Sequence, residues 1–359
     1  MRMIKCSEVV KATGGKLVSG SDYIEFSNIS ADSRSIGKDE LFVPIRGERF
    51  DGHDYIEDAF KAGAAGTITQ KDIKSIIKGS NEALFKNKVI IEVNDTRRAL
   101  NDLAFYYRRK FAIPFVGITG SVGKTGTKDM VACVLMQEYK VLKTPGNFNN
   151  EIGVPLTIFG LEPYHEVAVL EIGMNAPGEI SSLTSVVQPK IAIITNIGMS
   201  HIGKLGSRQN ILKAKMEIIE GVPRDGLVIL NGDDNLLYGL KGFLDKRTIY
   251  FGMDEGVDYQ AYNIQNAGES GVYFDINVKG IEYSIHIPIP GVHNVYNTLA
   301  AIAVGVEMGL SMDSIIEGIK HFTPDEMRLN IISCDKIKII NDTYNASPQS
   351  VEAALRVLK

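Results

Sequence analysis

The chain has 359 residues, enough for two or three domains of ordinary size. With 44% hydrophobic and 23% charged residues it reads as a soluble globular protein, not a disordered one. A formal net charge of −4 argues against a general binder of nucleic acid or membrane surface, so any anionic ligand must be held by a local site.

Residues 1–92 read as a small α/β unit. Short strands at 41–44, 65–68 and 89–93 alternate with polar turns and one helical stretch at 56–62. A helix over 96–110 follows, with Leu100, Leu103, Ala104 and Tyr107 at helical spacing, and leads into a second domain spanning 93–323. There, apolar runs at 115–119, 167–172, 191–196 and 227–231 are each followed by a helical segment. That pattern predicts a parallel sheet covered on both faces. Apolar stretches at 272–276 and 283–287 flank Lys279-Gly280 and predict a β-hairpin; an Ala-rich helix over 294–308 comes next. A third unit begins near Pro324, with a strand over 336–341, a polar turn, and a helix from Ser347. The sequence stops at Lys359 inside that helix, and one strand with one helix makes no core. The expectation is an incomplete polypeptide whose residues 324–359 begin a further domain.

Cys6, Cys133 and Cys334 are far apart and form no CxxC pair, which fits a reducing cytoplasm better than a disulfide framework or zinc site. Met1-Arg2-Met3-Ile4-Lys5 lacks the apolar run of a signal peptide, and no stretch is apolar for long enough to span a bilayer.

The strongest local signal is Gly117-Ile118-Thr119-Gly120-Ser121-Val122-Gly123-Lys124-Thr125, followed by Gly126, between a strand and a helix. Glycines let backbone N–H groups turn toward an anion, and the helix N-terminus adds its positive end. Lys124 would reach the β- and γ-phosphates and the Thr125 hydroxyl would ligate Mg²⁺. The bland reading is a glycine-rich turn with a surface lysine. The spacing departs from the common phosphate loop: five residues separate Gly117 from the Gly-Lys pair, and two separate Gly120 from it. Glu171 ends the 167–172 strand, where a carboxylate faces the ligand crevice of a parallel sheet; it is otherwise a paired or capping glutamate. His201 lies one loop beyond the next strand, and a lone histidine is more often structural. Lys215 reads by itself as a solvated lysine. In Gly291-Val292-His293-Asn294-Val295-Tyr296-Asn297, amide side chains suit an adenine edge, although Asn294 could simply cap the helix.

The T-G-[ST]-x-G-K-[ST] loop, the A-K-x-x-[IL] stretch at Ala214-Lys215 and the G-x-H-N-x-x-N-x-x-A-A stretch from Gly291 resemble the Mur ligase family, along the whole chain. The resemblance implies an α/β protein. It would comprise a small UDP-binding domain, a central P-loop-type ATPase domain with a parallel sheet between helices, and the start of a Rossmann-like C-terminal domain. It implies ATP held by Thr119 to Gly126, Asn294, Asn297, Arg328 and Asp342. It implies a catalytic centre of Lys124, Glu171, His201 and Lys215. Two Mg²⁺ ions are expected, with Thr125, Glu171 and His201 as ligands, and Lys215 carbamylated.

Within the family, Asp32-Ser33-Arg34, the 41–53 stretch, Thr144 to Thr157, and Asn341-Asp342-Thr343-Tyr344-Asn345-Ala346-Ser347-Pro348 resemble members that add D-alanyl-D-alanine to UDP-N-acetylmuramoyl-tripeptide. Ser33, Arg34, Gly47, Asp51, His53, Asn147, Asn149 and Asn150 would then face the UDP-precursor, and Tyr344 and Asn345 the acceptor cleft. Each of these alone also reads as a turn residue. The implied enzyme is a cytoplasmic, monomeric ligase acting on small molecules. Other amide ligases of the family, including folylpolyglutamate synthase, stay open as alternatives. So do a P-loop NTPase of other function and a binding fragment without ligase activity.

Overall fold

A computed structural model of the protein describes residues 1–77, 82–324, 326–335 and 337–358. They form two compact units: Met1–Ala112 with Phe148–Tyr164, and Ile113–Asn147 with His165–Lys359.

In the first unit a five-stranded sheet runs in the order Lys16–Ser19, Val89–Glu92, Gly66–Thr69, Leu41–Phe42, Ile29–Ser30, parallel except for its first pair. The strand expected over 41–44 is only Leu41–Phe42; Pro44, which has no N–H to donate, follows closely. Phe42, Ile56, Ala59, Phe60 and Ile90 form the core, with Phe85 edge-on to Phe60 at 5.2 Å.

The helix Thr96–Arg108 starts at Asp95, whose carboxylate accepts from the N–H groups of Arg97 and Arg98. Its buried Tyr107 ring meets Phe159 of the helix Gly153–Phe159 at 5.9 Å, and the Tyr107 hydroxyl donates to Leu161 O at 2.8 Å. The compact units therefore cut the chain differently from limits at 92 and 323. The apolar face of this helix finds its partners in the first unit, and residues 148–164 return there to supply them.

The second unit is built on a nine-stranded sheet. Its strands are β1 Phe115–Thr119, β2 Val141–Lys143, β3 Val167–Glu171, β4 Ile191–Ile194, β5 Leu227–Asn231, β6 Arg247–Gly252, β7 Tyr259–Asn266, β8 Val272–Val278 and β9 Ile281–Ile287. Their order is β9-β8-β7-β6-β5-β4-β1-β3-β2. β1 to β7 run parallel, and the expected hairpin β8–β9 adds to β7 antiparallel. Every residue of β1, β3 and β5 is buried, which is why these strands read as unbroken apolar runs.

β1 lies between β3 and β4, so strand order reverses there, and the crevice beyond the carboxyl ends at such a point is where α/β sheets take ligands. The helices Lys124–Leu135 and His293–Glu307 share one apolar core with the sheet. At the C-terminal end Asn330–Cys334 pairs antiparallel with Ile337–Asn341, and the helix Pro348–Leu358 follows. The first strand of that pair was not expected, and Lys336 lies outside the described residues. Among the described residues no helix is long and apolar enough to cross a membrane.

Candidate functional site

The loop after β1 is held by the end of β4. Ser121 N–H donates to Asn196 O at 3.0 Å, and Val122 N–H donates to Asn196 Oδ1 at 3.1 Å. Asn196 Nδ2 returns a bond to Val122 O at 2.9 Å, and the Thr195 hydroxyl donates to the same carbonyl at 2.6 Å. The close approach demands glycine at 120, because a Cβ there would sit 1.8 Å from Thr195 Oγ1. Gly123, at φ +80°, then starts the helix Lys124–Leu135. The first turn of a helix leaves N–H groups without intrahelical acceptors. Here Thr127 N–H finds Gly123 O at 2.9 Å, and the N–H groups of Lys124, Thr125 and Gly126 before it have no intrahelical acceptor.

Two lysine side chains converge on this loop. Lys124 Nζ donates to Gly120 O at 3.0 Å, and Lys215 Nζ donates to the same oxygen at 2.9 Å. Lys215 is only 2% exposed, not the solvated lysine its sequence suggested. Burial, and after it the charge of Lys124, push Lys215 well below the ordinary lysine range. Burial also lowers Lys124; Glu171 opposes that shift and Arg328 adds to it. Burial and then Lys215, Lys124 and Lys204 hold the exposed His201 low, against Glu179. The buried Thr125 hydroxyl donates to Glu171 Oε2 at 2.8 Å, and the Thr119 hydroxyl at the end of β1 has no partner among the described residues.

Beside the loop lies a cavity of about 480 Å³, lined among others by Gly123, Gly126, Asn294, Asn297, Arg328 and Asp342. The Thr127 hydroxyl donates to Asn297 Oδ1 at 2.8 Å, Asn297 Nδ2 to Asn294 Oδ1 at 3.0 Å, and Asn294 Nδ2 to Pro290 O at 2.9 Å. Asn294 thus keeps one amide proton and one lone pair for a ligand. It does not cap the helix: Val292 stands at that position, without a side-chain cap. Arg328 stacks on the Tyr344 ring at 3.9 Å, and Asp342 Oδ1 accepts from Leu329 N–H at 3.3 Å. Asn345 is exposed and bonds locally to Ala346 N–H at 2.8 Å.

In the first unit Arg34 donates twice to Asp32, at 2.9 and 2.7 Å, and those bonds bring the Asp32 carboxyl down to about 2. Asp51 receives His53 Nδ1 at 2.6 Å and Lys71 Nζ at 3.0 Å. Burial works against the Asp51 charge, but the bonds from His53 and Lys71 outweigh it and lower its pKa. His53 Nε2 accepts from Gln70 N–H at 3.3 Å, so Nδ1 is the nitrogen that donates to Asp51. With both nitrogens engaged and 3% exposure, His53 braces the turn from inside. Gly47 N–H closes the same turn on Phe50 O at 2.9 Å. Asn150 Oδ1 accepts from Ile152 and Gly153 N–H at 3.1 and 2.9 Å; Ser33 and Asn149 are part-exposed, while Asn147 is exposed in the second unit.

Residues 118–305 match the Mur ligase middle domain and residues 25–108 the catalytic domain of the Mur ligase family. The chain belongs to the Mur ligase family. It is 42% identical over 330 residues to the UDP-N-acetylmuramoyl-tripeptide--D-alanyl-D-alanine ligase of Bacillus subtilis, covering 92% of this chain and 69% of that protein. It superposes on a crystal structure of MurF from Acinetobacter baumannii with a TM-score of 0.91 at 31% identity, over 100% of this chain and 77% of that one. A MurF ligase from Thermotoga maritima in complex with ADP gives 0.81 at 28% identity, over 92% and 74%.

Among the described residues of this Mur ligase, no group of three or more His, Cys, Asp and Glu gathers to hold a metal. A hard ion could still fit at Thr125 and Glu171. Their oxygen donors are buried, the Thr119 hydroxyl nearby is orphaned, and Mg²⁺ commonly takes one or two protein oxygens with phosphate and water. Several positions escaped the sequence reading: Thr195 and Asn196, which fix the loop, and Asp233, which accepts from the Tyr296 hydroxyl at 2.9 Å. Burial, and then Asp233, raise the Tyr296 pKa. Their shared signal is a polar residue just past a buried parallel strand, close to the strand-end position that singled out Glu171.

Proposed function

We propose that this Mur ligase is the ATP-dependent, ADP-forming ligase that joins D-alanyl-D-alanine to UDP-N-acetylmuramoyl-tripeptide in peptidoglycan precursor synthesis. The observation that carries the reading is the convergence of Lys124, Lys215 and the Thr125–Glu171 pair on one loop, beside a cavity lined by Asn294, Asn297, Arg328 and Asp342. Lys124 beside the N-terminus of the helix that it opens suits a polyphosphate. The relative from Bacillus subtilis carries the name of this reaction.

On this reading adenine lies against Asn294 and Asn297, with Arg328 and Asp342 at the ribose and phosphates. Residues 119–126 cradle the phosphates. Lys124 follows charge toward the γ-phosphate as the tripeptide carboxylate attacks it in line. ADP leaves, the amine of D-alanyl-D-alanine attacks the acyl carbon, and phosphate departs with formation of the amide. Thr125, Glu171 and His201 would hold Mg²⁺, which when bound neutralises charge on the phosphates. Burial that favours the neutral Lys215 amine also suits it for carbamylation, which would set an anion beside Lys124. Residues 1–92, with Ser33, Arg34, Gly47 and the turn braced by Asp51 and His53, take the UDP-precursor. Asn147, Asn149 and Asn150 belong to the same substrate. Residues 93–323 carry ATP, and 324–359, with Tyr344 and Asn345, begin the acceptor side. The enzyme works as a cytoplasmic monomer on small molecules.

The test is calorimetric titration of UDP-N-acetylmuramoyl-tripeptide into the chain with Mg²⁺ and a non-hydrolysable ATP analogue. Saturable binding is expected. Nucleotide binding without precursor binding would overturn the peptidoglycan assignment.

A further inference from the structure

Lys128 lies one turn beyond Thr125 on the phosphate-loop helix, and its side chain is only 3% exposed. A buried ammonium is costly unless its protons are taken. Here Nζ donates to Thr144 O at 2.9 Å and lies 3.2 Å from Asp129 Oδ1, an oxygen that also meets Lys143 Nζ at 2.8 Å. Thr144, fully buried just past β2, is fixed on three sides. Its carbonyl takes Lys128, its N–H donates to Val169 O at 3.1 Å, and its hydroxyl accepts Glu171 N–H at 3.0 Å. Glu171 in turn accepts the Thr125 hydroxyl at 2.8 Å. A closed circuit therefore runs from the helix through Lys128 and Thr144 to Glu171 and back to Thr125.

We propose that Lys128 is a positioning residue for the Thr125–Glu171 pair, acting through Thr144. It touches neither nucleotide nor ion. It sets the spacing between the helix that carries Thr125 and the strand end that carries Glu171, so that the two oxygens meet one ligand together. The inference rests on the functional reading above, which makes this pair the place where Mg²⁺ joins the nucleotide. Groups that support ligands in this way typically contribute about 10–100-fold to metal affinity.

ADP titrated into the full chain by calorimetry, with and without Mg²⁺, tests it. In the wild type Mg²⁺ should tighten ADP binding. In Lys128→Met, which keeps the apolar stem, Mg²⁺-free ADP affinity should stay near wild type while the Mg²⁺-dependent gain falls by roughly tenfold. Lys128→Arg should restore part of it. Thr144→Val, which keeps the shape but removes the acceptor for Glu171 N–H, should give the same signature. The double variant should be no worse than the more affected single one, because both break one circuit. An unchanged Mg²⁺ gain in Lys128→Met, or equal losses with and without Mg²⁺, overturns the proposal. If Lys128→Met does not fold, a wild-type Mg²⁺ gain in Thr144→Val overturns it instead. A wild type that binds no ADP at all would remove the functional reading, and this inference with it.

Discussion

At the turn around Asp51, one carboxylate meets His53 and Lys71, and nearby Asp32 takes both arms of Arg34. Around Gly120 the balance is reversed: Lys124 and Lys215 share one neutral carbonyl oxygen, burial lowers the proton affinity of both, and the charge of Lys124 lowers that of Lys215 further. The first region is electrostatically closed and gains rigidity from its pairs. The second carries two lysines in low dielectric, where burial works against their charged forms. Sites that act on phosphates need the second kind of construction, and its cost falls on the stability of the fold.

The sharpest way to break that contrast is Lys124→Met. Removing the charge while keeping the stem should slow ADP release during ligation by about 10²–10³-fold. A loss of less than tenfold would mean that the loop does not carry the transferring phosphate. Gly120→Ala comes next. The new methyl would lie 1.8 Å from Thr195 Oγ1, and overpacking of this kind costs about 1–3 kcal/mol. Urea unfolding reads that loss, and adding Thr195→Ala should recover part of it. No recovery would place the strain elsewhere.

A smaller effect separates the regions by pH. Unfolded lysine keeps its proton up to about 10.5, whereas folded Lys215 releases it at a depressed value. Between those two values the unfolded chain binds more protons, so stability rises with pH, by at most about 1.4 kcal/mol per unit for one group. Below the depressed value the cost of the buried charge is complete. Lys124 contributes with the same sign. Urea unfolding at successive pH values below 10.5 in CO₂-free buffer should show the slope, and Lys215→Met should flatten it. An unchanged slope would show that Lys215 is not held neutral by its surroundings.

The contrast also explains what was legible beforehand. β1, β3 and β5 stood out as apolar runs because both faces of a parallel strand are covered, and the glycines before Lys124 announced the loop. Lys128 did not stand out, and Lys215 did so only through the family resemblance, since a lysine is exposed by default and only packing from distant segments buries these two. Thr144 and Asn196 act through bonds to partners 27 and 74 positions away, which no local pattern records. In the first unit, strands of two residues are too short to show a period, and His53 looked like a ligand contact because nothing local reveals that both its nitrogens are occupied.

The mildest change is Arg34→Ala. Its side chain is 88% exposed, and an ion pair in that setting usually contributes nothing measurable to stability. Tm should therefore stay where it is, in contrast to Gly120→Ala. Binding is another matter. A guanidinium can exchange one exposed carboxylate for a diphosphate at little cost, because both are met by the same planar fork. UDP-precursor affinity should fall while ADP affinity stays unchanged, and Arg34→Lys should rescue only part of it. If ADP binding weakened equally, Arg34 would be supporting the fold and not reading the precursor. If precursor affinity did not change, the Asp32–Arg34 pair would be as closed to ligand as the turn around Asp51, and the uridine diphosphate would have to be held by other groups of the first unit.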